Sequence, residues 1–191
     1  MSDHAVWSKP VTTGTAPGIR AGHTMTAVKT KLLVFGGGDG NQYLNDLHIL
    51  DTETMAWSQA YVAGTSPAAR SRHSTCLIGG SKLLVFGGGD DSRVYNDLYV
   101  LDIETMSWSR PTMRGMLPVS HIEMNDKDLH LLERKKKIGK KSARWGHTMN
   151  AMQDGRLLLF GGHDGTKMLQ GNFFTKNQTK KNRSLISFLK Q

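Results

Sequence analysis

His23-Thr-Met-Thr-Ala-Val28, Lys31-Leu-Leu-Val-Phe-Gly-Gly-Gly38, Asn45-Asp-Leu-His-Ile-Leu-Asp51 and Thr54-Met-Ala-Trp57 follow one another along the chain. Almost the same text returns between residues 73 and 108: His73-Ser-Thr-Cys-Leu-Ile78, Lys82-Leu-Leu-Val-Phe-Gly-Gly-Gly89, Asn96-Asp-Leu-Tyr-Val-Leu-Asp102 and Thr105-Met-Ser-Trp108. Part of it returns again from His147. A unit of about fifty residues that repeats itself points to a solenoid, a propeller or an array.

Each complete unit holds four short strand candidates. In the first they are Thr24–Val28, Lys31–Phe35, Leu47–Leu50 and Ala56–Ala60; in the second, Ser74–Ile78, Leu83–Phe86, Leu98–Leu101 and Ser107–Arg110. The second strand of each is a mostly apolar run ending in glycines, which suits a buried strand. Turn-forming residues separate the strands: Lys29-Thr30, Gly38-Asp39-Gly40-Asn41 and Asp51-Thr52-Glu53-Thr54 in the first unit. Four short antiparallel strands per unit predict a propeller blade. Trp7 precedes Trp57 by fifty residues and Trp57 precedes Trp108 by fifty-one, so Trp7 is expected in the last strand of a preceding unit.

Three signatures coincide in these units. Paired glycines close the second strand (Gly36-Gly37, Gly87-Gly88, Gly161-Gly162), an aromatic follows (Tyr43 or Tyr95), and a Trp comes about twenty residues after the glycines (Trp57, Trp108). An Arg-x-x-His pair opens each copy: Arg20/His23, Arg70/His73 and Arg144/His147. Together they resemble the kelch repeat, over roughly residues 5–118 and 142–169. The resemblance implies an all-β fold, an incomplete kelch-type β-propeller with four-stranded antiparallel blades. Because the Arg and His recur in every copy, they are expected to satisfy buried backbone groups rather than to do chemistry.

The pattern breaks twice. Gly14…Pro17…Arg20 and Gly64…Pro67…Arg70 share one spacing, but Arg144 follows Pro118 by 26 positions rather than 3. Removing Val119–Lys141, 23 residues, restores the register. An in-frame retained intron would account for such a block, and transcript sequencing tests that origin. The second break follows Leu169, after which no third Leu-Asp and no closing Trp appear. The expected organisation is therefore kelch repeats over 1–118, a basic insert at 119–141, a partial repeat at 142–169 and a basic, disordered tail at 170–191. The chain would carry the end of one blade, two whole blades and half of another, and could not close a ring of about 4–8 blades alone. It is expected either to be a truncated or mis-spliced fragment or to self-associate through exposed blade faces.

The net charge of +9 is concentrated in those two segments, +3 in the insert and +5 in the tail, which leaves the repeats near neutral. Nucleic acid would then be met only non-specifically, through the basic segments. No apolar run approaches the roughly 20 residues of a membrane span, and the N-terminus lacks the pattern of a signal peptide. Cys76 is the single cysteine, expected in the core, and a cytoplasmic setting fits it, with nuclear entry through the 134–141 basic run as the alternative.

Chemistry is sparse. Three of the eight histidines are repeat positions, and His163 with Asp164 forms too small a ligand set for a metal. No Gly-x-Ser-x-Gly or His-Glu-x-x-His motif appears. No catalytic residue, cofactor or metal site is therefore assigned. The resemblance implies a non-catalytic scaffold that binds a protein partner through its inter-strand loops. The alternative from another class is a metal-dependent kelch-fold enzyme, for which one strand cysteine gives little support. Loops 39–43, 90–95 and 163–167 differ between copies more than the strands do and should share one face. The contact candidates on them are Gln42, Tyr43, Arg93, Tyr95, His163 and Asp164.

Overall fold

The computed structural model describes residues 5, 7–111, 143–153, 156–169 and 172–174. The insert at 119–141 and the tail beyond 174 lie outside the described residues. The first sheet contains β1 (Thr13–Gly14), β2 (Thr24–Val28), β3 (Lys31–Gly38), β4 (Tyr43–Asp51) and β5 (Ala56–Gln59). The second contains β6 (Ala63–Gly64), β7 (Ser74–Ile78), β8 (Lys82–Phe86), β9 (Leu98–Asp102) and β10 (Ser107–Ser109). The third contains β11 (Thr148–Ala151), β12 (Leu157–Phe160) and β13 (Asn172–Phe174). Among the described residues the fold is all-β.

Each complete sheet is an antiparallel meander, β2-β3-β4-β5 or β7-β8-β9-β10, with one strand more than the sequence predicts. The extra strand is two residues long and parallel: Thr13 and Gly14 pair with Ala56 and Trp57, and Ala63 and Gly64 with Ser107 and Trp108. The segment leading into each sheet thus clips that sheet's outer edge before reaching its first strand. Gly14 and Gly64 are left-handed, at φ +77° and +80°, and a Cβ there would stand 2.1 and 2.3 Å from the carbonyl oxygens of Trp57 and Trp108. Only glycine allows that approach.

The Asp-x-x-Thr-Met turns explain the β4–β5 and β9–β10 connections. Asp51 accepts hydrogen bonds from the N–H groups of Glu53 and Thr54, and Asp102 from those of Glu104 and Thr105. Met55 and Met106 then turn back at φ 54° and 48°.

The middle sheet is buried on both faces, which accounts for its unbroken apolar runs. Towards the first sheet it presents Leu83, Val85, Tyr99, Leu101 and Trp108, packed on Val28, Leu33, Phe35 and Leu47. Towards the third it presents Cys76, Ile78, Leu84, Phe86, Leu98 and Val100, packed on Met149, Leu157 and Leu159. Cys76 is a free, buried thiol that burial pushes up to about 12.

Each repeated Arg braces its own sheet with its side chain, and Arg70 and Arg144 join the preceding sheet through their backbones. Arg70 donates to the Gly87 carbonyl at 2.9 Å and to both Asp97 oxygens at 2.6 and 3.1 Å; Arg20 does the same with Gly36 and Asp46. The Arg70 backbone bridges back to the first sheet, its N–H donating to Leu44 and its carbonyl accepting from Gly37. Arg144 repeats this on the second sheet through Tyr95 and Gly88. A Cβ on Gly36 would meet the Arg70 carbonyl at 2.9 Å and His73 at 3.0 Å, and one on Gly87 would meet Arg144 and His147 in the same way, so at these two glycines the next sheet's entry segment passes.

Two expectations need correction. Trp7 lies outside every described strand and is 99% exposed, because no described strand stands where it could pair. The tail was expected to begin without structure, yet Asn172–Phe174 pairs with Leu158–Phe160. The apolar edge of β12 supplies the backbone partners that the tail's own composition does not advertise.

Candidate protein-interaction face

The loops joining β3 to β4, β8 to β9 and β12 to β13 share one local design. Asp39 accepts hydrogen bonds from the N–H groups of Asn41 and Gln42 at 2.8 and 2.9 Å. Asp90 accepts from Ser92 and Arg93 at 2.8 and 2.9 Å, and Asp164 from Thr166 and Lys167 at 2.9 Å each. These bonds favour the carboxylate form. The Asn41 and Gln42 amides hold Asp39 below its ordinary range, and the Thr166 hydroxyl and amide hold Asp164 at about 2. Burial acts against Asp90, but bonds from Ser92 and Tyr95 outweigh it and keep that carboxyl well below the usual range.

Each loop is joined to the entry segment of its own sheet by a bridge: Gly38 to Ala21, Gly89 to Ser71 and His163 to Trp145. Loops and entry segments therefore form one face, at the end of the sheets opposite the Asp51 and Asp102 turns. Contacts between sheets run along it. The Tyr43 hydroxyl donates to Asp91 at 2.6 Å, which holds that phenol above its ordinary value. The Arg72 guanidinium stacks 4.3 Å from the Trp145 ring centroid, and Trp145 in turn lies 5.3 Å from the His163 ring.

Gln42 is exposed and Tyr43 half-buried. Arg93 is exposed, with its guanidinium 5.4 Å from the Tyr95 ring centroid and 3.8 Å from the Asp90 carboxylate. Tyr95 is buried: Arg70 lies 4.1 Å from its ring centroid, and its hydroxyl donates to Asp90 at 2.5 Å. Tyr43 and Tyr95 thus occupy adjacent slots with opposite orientations, since Leu44 and Tyr95 are the residues whose carbonyls receive the next arginine. His163 is half-buried, its Nδ1 accepting from the Gly165 N–H at 2.9 Å, with Asp164 beside it. The structure brings Tyr43 to the second loop and His163 to Trp145, and it places Tyr95 beneath the face rather than on it.

Arg72, Trp145 and Asp91 escaped the sequence reading. A signal for Arg72 existed: Arg20-Ala-Gly22-His and Arg144-Trp-Gly146-His carry glycine where Arg70-Ser-Arg72-His does not. All three positions are left-handed, with φ of 67°, 56° and 66° for Gly22, Arg72 and Gly146. Met55 and Met106 share this conformation in turns, whereas at Arg72 it goes with a guanidinium laid over the Trp145 ring of the next sheet.

Among the described residues no three His, Cys, Asp or Glu side chains gather as a metal site, and no helix is long and apolar enough to cross a membrane.

Residues 2–125 match the family model described as the KLHDC2/KLHL20/DRC7 Kelch-repeats domain. The chain is 44% identical over 113 residues to acyl-CoA-binding domain-containing protein 4 of Arabidopsis thaliana, covering 59% of this chain and 17% of that protein. It is 34% identical over 113 residues to Kelch domain-containing protein 3 of Bos taurus, covering 53% and 29%. With Kelch domain-containing protein 2 of Bos taurus the identity is 31% over 104 residues, covering 54% and 26%. The matched stretch spans less than a third of each of these relatives.

Proposed function

Because this chain belongs to the kelch-repeat family, whose domains are generally non-enzymatic scaffolds for protein partners, we propose that it binds a protein through the face built from loops 39–43, 90–95 and 163–167. The observation that carries this reading is the shared Asp frame of the three loops, with Tyr43–Asp91 joining the first two and Arg72–Trp145 joining the entry segments beside them. Loops fixed before binding lose less conformational entropy when a partner docks. Residues at their tips vary between copies while the frame beneath them does not, so specificity is separable from folding. Arg72, Trp145 and Tyr43 are of the residue types that dominate interface energetics. Acyl-CoA binding belongs to the plant relatives by name and is not assigned to this chain, which matches 17% of their length.

Site-directed photo-crosslinking tests the face. Crosslinkers at Gln42 and Arg93 should capture a discrete protein partner, while crosslinkers at the exposed Glu53 and Glu104, on the opposite end, should not. Equal capture from both ends would defeat the assignment.

A further inference from the structure

The two junctions between sheets are built from one set of contacts. At the first, the His73 ring lies 5.3 Å from Phe35 and its Nε2 lies 2.9 Å from the Thr24 hydroxyl. At the second, the His147 ring lies 5.5 Å from Phe86 and its Nε2 lies 2.6 Å from the Ser74 hydroxyl. The backbone adds the same steps each time: Gly37 donates to Arg70 and Arg72 to Gly22, then Gly88 donates to Arg144 and Gly146 to Arg72.

The third sheet carries the receiving half of this junction again. Thr148 stands where Thr24 and Ser74 stand, and Phe160 where Phe35 and Phe86 stand, by their register on the paired strands. Thr148 is exposed and Phe160 is 58% exposed. Among the described residues nothing approaches within 4 Å of a Cβ built on Gly161, whereas the equivalent Cβ on Gly36 or Gly87 would strike a histidine. The inserting half is repeated at the other end of the stack. Arg20-Ala21-Gly22-His23 has the form of the two engaged segments, yet His23 is exposed where His73 and His147 are buried.

We infer that the Phe160–Gly161 edge of the third sheet receives the Arg20–His23 segment of a second copy of this chain. Both halves of the junction sit on one chain, so the contact between copies is head-to-tail, a continuation of the two junctions already present. Such contacts close when their rotation completes a ring. Two copies of the three described sheets make six, within the range of about 4–8 blades at which propellers close. The apolar surfaces agree. Leu158, Phe160 and Met152 of one copy would cover Leu32 and Trp57 of the next, as Leu84, Phe86 and Ile78 cover their partners on the third sheet.

Sedimentation velocity of the full 191-residue chain at tens of micromolar tests the inference. A species of twice the 21.1 kDa chain mass is expected. Gly161→Leu, which fills the receiving edge, and His23→Asp, which spoils the inserting segment, should each sediment as a monomer. An equimolar mixture of the two should regain the dimer, because His23 of the first meets Gly161 of the second at one junction. Complementation of that kind cannot arise from variants that simply fail to fold. A monomeric wild-type chain would overturn the inference, whether another segment of the chain or nothing covers the edge. So would either variant dimerising as well as wild type, or a mixture that stays monomeric.

Discussion

The Nε2 of His73 lies 2.9 Å from the Oγ1 of Thr24, so the entry segment of the second sheet is tied to the first strand of the sheet before it. One repeat later His147 makes the same contact with Ser74. Both rings are buried beside an arginine, where an imidazolium would lose hydration and face a like charge. The junction therefore requires neutral histidine.

That requirement sets a pH dependence. Burial, then the Arg70 guanidinium, pushes His73 down to about 3; burial, then Arg144, pushes His147 down to about 4. In the unfolded chain both rings titrate near 6.5. Below that value the unfolded chain takes up protons that the folded chain refuses. Stability present above pH 6.5 is then lost as the pH falls, by about 1.4 kcal/mol per pH unit for each ring. Thermal melts between pH 7 and 5 should show a falling Tm, and His147→Asn should show a shallower fall. A Tm independent of pH across that window would contradict the neutral junction.

Arg70 should be the costliest polar residue to remove. It is fully buried, and its guanidinium donates four hydrogen bonds, to Ala68, to Gly87 and to both oxygens of Asp97. Truncation would leave Asp97 as a largely buried, unpaired carboxylate, a loss of about 3–5 kcal/mol. Arg20→Ala should cost less, because Asp46 is more exposed and keeps His48 as a partner at 3.0 Å. Arg70→Lys should not rescue, since an ammonium cannot reproduce the fork. Urea titrations of the three variants give the ranking.

The strands were legible because both sides of the middle sheet are buried and the repeat shows the same run twice. Thr24–Val28 and Ser74–Ile78 end where the sequence places them, while the run from Lys31 continues through the glycines to Gly38. Strands of two residues have no periodicity to read, so in the sequence only the spacing of Gly14 and Gly64 marks β1 and β6. Tyr95 stands one residue out of step with Tyr43, which reverses the direction of its side chain and buries a residue that the sequence alone places on the surface. The missing glycine at Arg72 gains meaning only once its φ of 56° is known.

Gly64→Ala should disrupt the parallel clip. The new Cβ would sit 2.3 Å from the Trp108 carbonyl oxygen, in a left-handed conformation at φ +80°, so the backbone must move and β6 must detach. Gly79→Ala is the control: its φ is +61° but nothing lies within 4 Å. The control should cost about 1–2 kcal/mol from backbone strain alone, and Gly64→Ala should cost more. Hydrogen exchange sharpens the comparison, because only Gly64→Ala should expose the Ala63 amide that donates to Met106.

Arg72→Gly separates folding from binding. At φ 56° the arginine carries roughly 1–2 kcal/mol of strain that glycine at the same slot in the other two repeats avoids. Its stacking on Trp145, worth about 0.5–1 kcal/mol at a partly exposed site, offsets much of that strain. The Arg72 N–H to Gly22 and the Arg72 carbonyl to Gly146 are backbone bonds that glycine keeps. Stability by urea denaturation should therefore stay within about 1 kcal/mol of wild type, or rise. Capture of the crosslinked partner should fall sharply, because the guanidinium is the cation that the loop face presents between Tyr43 and Trp145. Unchanged stability with unchanged capture would mean that the strain at Arg72 serves no contact, and the partner would have to be sought on another part of the face.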